Sequence, residues 1–269
     1  MRADQKTGSI IFAAGRGSRM KNFNGNKTLL PLVPGSSPFE GSHPILLHIL
    51  DSLPAGPKAL VIKHRKEDVI EFTRSIDLTY CEQPQLNGTG GALLASRKFL
   101  EGLDCDQIII AMGDVPFVST STYHALLNEL NNSRMAVLGF RPPDKKRYGV
   151  LEFDADNVKR ITEWKYLSKY SKENQDRLEI CNSGIYAAKK DDLIQYLRIL
   201  EQRPHTVLKK RNEKMVEVKE FFITDLIELT HKDGLKVGHV IAGDEDEVMG
   251  IDDLPSLLKA QEIFRERNL

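Results

Sequence analysis

The stretch Ser9–Leu32 reads SIIFAAGRGSRMKNFNGNKTLLPL, an apolar run that breaks into a turn at Gly15 and Gly17. Such a run is the pattern of a buried parallel strand that delivers a loop to the carboxyl edge of a sheet. Two glycines one residue apart first suggest a dinucleotide-binding turn. That fingerprint needs a third glycine three residues after the second, where helix and strand pack closely. Here the position holds Met20. The next strand candidate, KALVIKH, ends in Lys63 and His64 instead of the acidic residue that would hold a ribose. A Walker loop would end in Gly-Lys-Ser/Thr, which is also missing. What the turn does offer is Gly15 and Gly17, whose backbone N–H groups can face phosphate, and cations at Arg19 and Lys27 to neutralise it.

Beyond the turn, apolar runs alternate with helical patterns. PILLHILDSL reads as a helix, KALVIKH as a strand, KEDVIEFTRSI as a helix and LTYCEQ as a short strand. GTGGALLASRKFLEGL is predicted as one helix opened by glycines, and QIIIAMGDVPF as a central strand ending in Gly-Asp. STSTYHALLNELNN opens with hydroxyl N-cap candidates and is read as a helix. This alternation predicts an α/β fold with a doubly wound, mostly parallel, Rossmann-like sheet. After Met135 the texture changes to shorter strands, MAVLGFRPP, YGVLEFDADNVKRITEW and EICNSGIYAAKK, as expected of a mixed sheet. Helices return at DDLIQYLRIL, ITDLIELTHKDG and LPSLLKAQEIFRERN, with a strand at KVGHVIA before the last. VPGSSPFEGSHP is read as a surface loop. No Pro/Ser/Gly linker divides the chain. The expectation is a single domain over 1–269, with one lobe at about 8–134 and a second at about 135–269, sharing one sheet.

Charge excludes several classes of partner. The 38 Lys and Arg residues balance 38 Asp and Glu residues, so no global field draws the chain to nucleic acid or a membrane surface, and an anion site must be local. No apolar run is long enough to span a bilayer, and Asp4 and Lys6 interrupt the start where a secretory leader would be apolar. Cys81, Cys105 and Cys181 have no metal-ligand spacing and are expected to be reduced thiols of a cytoplasmic protein.

Further motifs follow the glycine turn in order: EQPQLNGTGGAL, AMGDVPF, YGVLEF, TEWKY, CNSGIY, FFITDLI and EVMGIDD. Together with Gly15-x-Gly17-x-Arg19-Met20 and Lys27-TLLPL, they resemble the sugar-phosphate nucleotidylyltransferases over nearly the whole chain. The likeness is strongest to the uridyltransferase (pyrophosphorylase) half of the bacterial N-acetylglucosamine-1-phosphate uridyltransferases. The resemblance implies transfer of UMP from UTP to a sugar 1-phosphate, with N-acetylglucosamine 1-phosphate as acceptor and Mg²⁺ as cofactor. It implies that Arg19 and Lys27 act on the triphosphate and that Ala13, Gly15, Gly17, Gln83, Gly88 and Thr89 bind the nucleotide. Asp114 and Asp252 would hold the metal, and Gly149, Glu163, Lys165 and Asn182 the sugar phosphate. The side-chain amide of Gln83 suits a pyrimidine edge, because it both donates and accepts.

The departures from the family pattern are also specific. The interval from Arg19 to Lys27 is one residue longer than usual, so Lys21 competes with Lys27 for the phosphate role, and a bulge at Gly25 is expected to absorb the insertion. Asn26 stands where Pro is usual, Met112 where Tyr is common, Gly91 where His is common and Asp252 where Asn is usual. Bland readings stand beside the functional ones: Asp114 could cap the following helix, Asp252 could be solvated charge, and Glu163-x-Lys165 could be an exposed pair on a strand. Other sugars, dTTP, or a catalytically weak nucleotide-sugar sensor remain open, as does assembly into a homo-oligomer. No hexapeptide repeat is present, so acetyl transfer is not implied.

Overall fold

The computed structural model describes residues 6–21, 23–145, 148–211 and 214–267. In chain order the elements are β1 Thr7–Phe12, β2 Pro31–Ser37, β3 Glu40–Pro44, α1 Ile45–Ser52, β4 Lys58–Ile62, α2 Lys66–Thr73, β5 Thr79–Glu82, α3 Thr89–Ala95, α4 Arg97–Gly102 and β6 Gln107–Met112. Then follow α5 Thr120–Glu129, β7 Met135–Phe140, β8 Val150–Asp154, β9 Asn157–Thr162, α6 Trp164–Leu167, α7 Lys172–Arg177, β10 Cys181–Lys189 and α8 Lys190–Glu201. The chain closes with β11 His205–Arg211, β12 Lys214–Glu220, α9 Thr224–Lys232, β13 Val237–Ile241 and α10 Leu254–Arg267.

A nine-stranded sheet runs in the order β13-β7-β10-β6-β1-β4-β5, with β8 and β9 attached beside β10. Strands β6, β1, β4 and β5 are mutually parallel, as are β7 and β13. Strand β10 runs against both β6 and β7 and joins the two halves without a break. Alternation of side chains explains why these strands read as solid apolar runs. Ile11, Leu60, Ile109 and Ala187 point to one face, where α1, α5 and α10 pack. Ile10, Phe12, Ile108 and Tyr186 point to the other, covered by α3, α8 and α9. Both faces are buried, so the strands need apolar residues at every position. The predicted α/β class and mostly parallel sheet are what the chain adopts.

Ser119 caps α5 by accepting from the Thr122 amide (3.1 Å), as the hydroxyl-rich start predicts. Three local readings differ from the structure. VPGSSPFEGSHP is not a loop but most of the β2–β3 hairpin, hidden from pattern reading because its side chains are largely exposed and show no alternation. The single helix expected from Gly88 to Leu103 breaks at Ser96, whose hydroxyl donates to the Leu93 carbonyl and competes with the helix (2.7 Å). Residues 205–211 and 214–220, for which no element is predicted, form the hairpin β11–β12, which among the described residues pairs with no strand of the main sheet. Among the described residues, no helix is long and apolar enough to cross a membrane.

The β2–β3 hairpin is held to the body by Gln261 of α10, whose buried amide donates to the carbonyls of Pro31 (2.9 Å) and Pro38 (2.8 Å). Replacing Gln261 with Leu leaves both acceptors without that partner. The expected loss is about 1–3 kcal/mol of unfolding free energy, measured by urea titration. An unchanged midpoint would show that the hairpin is held by its own strand pairing.

Candidate active site

The site grows from the carboxyl ends of β1 and β6. After Phe12 the chain leaves the sheet, with Ala13 N–H donating to the Val61 carbonyl (2.8 Å). Gly17 has φ +58° and lies against the Lys27 side chain, so this turn requires the left-handed conformation that glycine adopts without strain. Gly15 carries no such constraint. Met20, in the place of the missing third glycine, is buried in the core and anchors the loop. Gly25 has no positive φ and lies against the Phe23 ring, so the insertion is not absorbed as a left-handed bulge there.

The return of this loop is fixed by Asn26, which is 1 % exposed. Its amide nitrogen donates to the carbonyls of Ala13 (3.1 Å) and His64 (2.9 Å), tying the loop to the ends of β1 and β4. Its oxygen accepts from the Thr28 amide (3.0 Å) and hydroxyl (2.8 Å), capping the single 3₁₀ turn Lys27–Leu29. A proline could make none of these side-chain bonds. Asn26 is therefore what aims Lys27.

Lys27 is 12 % exposed at its side chain, and its ammonium donates to Asp114 Oδ2 and to Asp252 Oδ1 (3.0 Å). Arg19 closes the cluster on Asp252 Oδ2 (2.9 Å). Burial pulls the Lys27 pKa down, but the two carboxylates outweigh it and leave the pKa above its ordinary value, so the side chain is an ammonium. Lys21 is exposed and lies outside the cleft.

The two aspartates are set by backbone constraints. Gly113 N–H donates to the Phe12 carbonyl (3.0 Å), and Ile251 N–H donates to the Asp114 carbonyl (2.8 Å), so the 250–253 loop is pinned to the end of β6. Asp114 does not cap α5, because Ser119 does. Asp253 is bonded to the Ser256 amide (3.0 Å) and hydroxyl (2.8 Å) at the start of α10. That leaves Asp252 to face Lys27 and Arg19.

A cleft of about 680 Å³ opens here. Ala13, Gly15, Arg19, Lys27, Gln83, Gly88, Thr89, Asp114 and Asp252 all line it, whereas Gly17 supports Lys27 from behind. Among the lining residues that the sequence reading did not single out are Arg16, Leu86 and Glu220. Arg16 sits inside the quoted turn and was within reach of that reading. Glu220, 7 % exposed, arrives at the end of β12, and no local pattern marks it.

The residues read as sugar-binding lie outside this lining. Three of them are neighbours of one another. Asn182 N–H donates to the Gly149 carbonyl (2.8 Å), and a Cβ at Gly149 would lie 3.6 Å from Glu163 Oε2. Asn182 spends its side chain on the Gly184 amide (3.1 Å) and the Tyr186 hydroxyl (2.9 Å), shaping the irregular stretch of β10. Gly184 abuts Met112, which does line the cleft, so the group adjoins it. Glu163 precedes α6 and is not on a strand, because the chain turns into a helix directly after β9. Burial pushes its carboxyl up, against Lys165 and a hydrogen bond from Thr224. Lys165 stands apart and exposed, its ammonium 4.8 Å from the Tyr166 ring centroid and 5.5 Å from that of Phe222.

Among the described residues there is no cluster of three or more His, Cys, Asp or Glu side chains placed to hold a metal. Asp114 and Asp252 nonetheless converge on one cation, the Lys27 ammonium. Two hard oxygen donors fit Mg²⁺, which takes one or two carboxylates and completes its shell with water and phosphate.

A parallel sheet that gathers cations and carboxylates at the carboxyl ends of its strands places them where open α/β sheets bind their ligands. The sequence agrees: residues 9–208 match the MobA-like NTP transferase domain, and the chain belongs to that family. Among curated relatives, the bifunctional protein GlmU of Roseobacter denitrificans is 31 % identical over 267 residues, 97 % of this chain and 53 % of that one. GlmU of Rhodopseudomonas palustris is 31 % identical over 265 residues, covering 96 % and 53 %. The chain thus spans about half the length of the curated relatives it matches. A Bacillus anthracis protein described as a glucose-1-phosphate thymidylyltransferase shares the fold, with TM-score 0.68, 21 % identity and coverage of 97 % and 96 %. So does a Methanothermobacter nucleotidyl transferase, with TM-score 0.63, 19 % identity and coverage of 98 % and 100 %.

Asn26→Ala removes four buried hydrogen bonds and the cap on the Lys27 turn. The expected cost is about 2–4 kcal/mol in denaturant unfolding, with Asn26→Pro no better. A loss below about 0.5 kcal/mol would mean that the loop is held by Met20 and the flanking strands alone.

Proposed function

We propose that the protein transfers UMP from UTP to a sugar 1-phosphate, releasing pyrophosphate, with Mg²⁺ held by Asp114 and Asp252. The observation that carries this reading is the Lys27 ammonium clasped between those two carboxylates beside Arg19. The attacking oxygen of a sugar 1-phosphate is already an anion, so the reaction needs no general base. What it needs is two polyanions placed in line with their repulsion offset. Bound Mg²⁺ supplies charge neutralisation at the α-phosphate. Lys27 and Arg19 would exchange their carboxylate partners for the β- and γ-phosphates and stabilise the pyrophosphate as its charge develops. Ala13, Gly15, Gly17, Gly88 and Thr89 would form the turns around the nucleotide, and Gln83 would read the base. Gly149, Glu163 and Asn182 would orient the sugar ring, and Lys165 would reach its phosphate from the exposed side.

The sequence resemblance makes N-acetylglucosamine 1-phosphate the first acceptor to test. A second reading, transfer from dTTP to a hexose 1-phosphate, is favoured by Asp252 in the place of the usual Asn. Pyrophosphate release from UTP, dTTP and CTP with a panel of sugar 1-phosphates separates the two. Release with no pair would support a nucleotide-sugar sensor.

Two sets of variants test the roles. Asp114→Asn is expected to lower kcat by about a hundredfold or more at saturating Mg²⁺, and near-normal turnover would remove it from the site. Lys27→Ala should depress kcat/KM for UTP sharply, mostly through kcat, with Lys21→Ala close to the parent protein. Lys27→Met should also bind Mn²⁺ without nucleotide at least about tenfold tighter, read by electron paramagnetic resonance, because the competing ammonium is gone. Equal Mn²⁺ affinity in both proteins would place the metal elsewhere.

A further inference from the structure

The buried amide of Gln83 has its nitrogen end fully engaged by its surroundings. Its nitrogen donates to the Gly88 carbonyl (3.2 Å) and to Asn87 Oδ1 (3.0 Å). A backbone carbonyl only accepts, so the group facing Gly88 is the NH₂, and Asn87 Oδ1 as a second acceptor holds the carboxamide in that orientation. Both amide hydrogens are then used, and the oxygen is the part of Gln83 left for a ligand. Uracil and thymine present an N3–H donor on their pairing edge, whereas cytosine presents a lone pair there. A carboxamide locked with its oxygen toward the base accepts from the first two and repels the third.

Asn87 is in turn held by two features of the fold. Its carbonyl accepts from the Phe221 amide (2.9 Å), so the loop is stitched to the segment after β12. Its side chain occupies the space of a missing one, since a Cβ at Gly91 would lie 1.8 Å from Asn87 Oδ1. Any side chain at 91 expels the Asn87 carboxamide and frees one amide hydrogen of Gln83. With only the 3.2 Å bond to the Gly88 carbonyl left to hold it, the Gln83 carboxamide turns over more easily and can offer its NH₂ to the base, which suits cytosine.

We infer that Asn87, seated in the space left by Gly91, is a specificity-determining positioning residue that locks Gln83 for bases bearing an N3–H. The inference rests on the proposed reading of Gln83 as the base-contacting residue. It predicts one specific pattern across four variants. Asn87→Ala and Gly91→Ala should each reduce the ratio of kcat/KM for UTP over CTP by about tenfold, with the change carried by KM. The double variant should be no worse than either single one, because both break the same contact. Asn87→Asp keeps the acceptor and should retain the ratio.

The measurements are pyrophosphate-release kinetics and calorimetric binding of UTP and CTP to the full chain. Calorimetry also reads variants with poor turnover. A parent protein that prefers UTP, combined with an Asn87→Ala variant that keeps the full preference, overturns the role of Asn87 and leaves Gln83 in place. A parent protein with no preference, or a Gln83→Ala variant with unchanged preference, overturns the base reading and this inference with it. Loss of preference in Asn87→Asp equal to that in Asn87→Ala would show loop collapse instead of a lost acceptor, and also overturns it.

Discussion

Phe12 and Met112 lie opposite each other in parallel register, and the cleft depends on that pairing. Strands β1 and β6 end at the same level, so the loops that follow them leave the sheet side by side. Gly113 tightens the junction, because its amide bonds to the Phe12 carbonyl and a Cβ there would lie 2.6 Å from that oxygen. Lys27 and Asp114, 87 residues apart in sequence, are brought into contact as a consequence. A slip of one residue in either strand would turn its side chains to the opposite face and put the two strand ends at different levels.

The ion cluster built on that junction is a balanced one. Two cations, Arg19 and Lys27, face two carboxylates, Asp114 and Asp252; Arg19 is exposed, but the other three lie where an unpaired charge is costly. Nothing in such a cluster favours the fold strongly, since desolvation offsets much of the attraction. Its use lies in exchange. In the proposed reaction the cations move to phosphate and the carboxylates to Mg²⁺, so every charge keeps a partner before and after binding.

A second organising segment follows β12. Phe221 bonds to the Asn87 carbonyl and accepts from the Gly90 amide (2.8 Å), while the Ile223 amide donates to the Thr89 hydroxyl (3.2 Å). Phe222 lies beneath Lys165, and Thr224 bonds to Glu163. One short stretch therefore touches both the loop read as base-binding and the residues read as sugar-binding. It carries Glu220 into the cleft wall as well.

Apolar runs are local, so the sequence alone marked β1, β4, β5 and β6 as strands and their alternation with helices as a mostly parallel sheet, while the order in which they pair was decided by the tertiary structure. Strands β1, β4 and β6 are buried on both faces and announce themselves as nearly unbroken apolar runs, whereas β5 is a short, mostly exposed edge strand. The turn at Gly15–Gly17, the cations after it and the Gly-Asp ending of β6 were legible for the same reason: each is a few residues at the end of such a run. The β2–β3 and β11–β12 hairpins were not legible, because exposed strands carry no burial pattern. That Lys27, and not Lys21, points into the cleft rests on Asn26, two of whose hydrogen bonds reach the ends of β1 and β4 while two cap the Lys27 turn. The convergence of Asp252 on Asp114, the arrival of Glu220 and the fit of Asn87 into the space at Gly91 were likewise decided only in three dimensions. Each joins segments that no sequence spacing relates, through backbone hydrogen bonds and excluded volume that exist only once the sheet has closed.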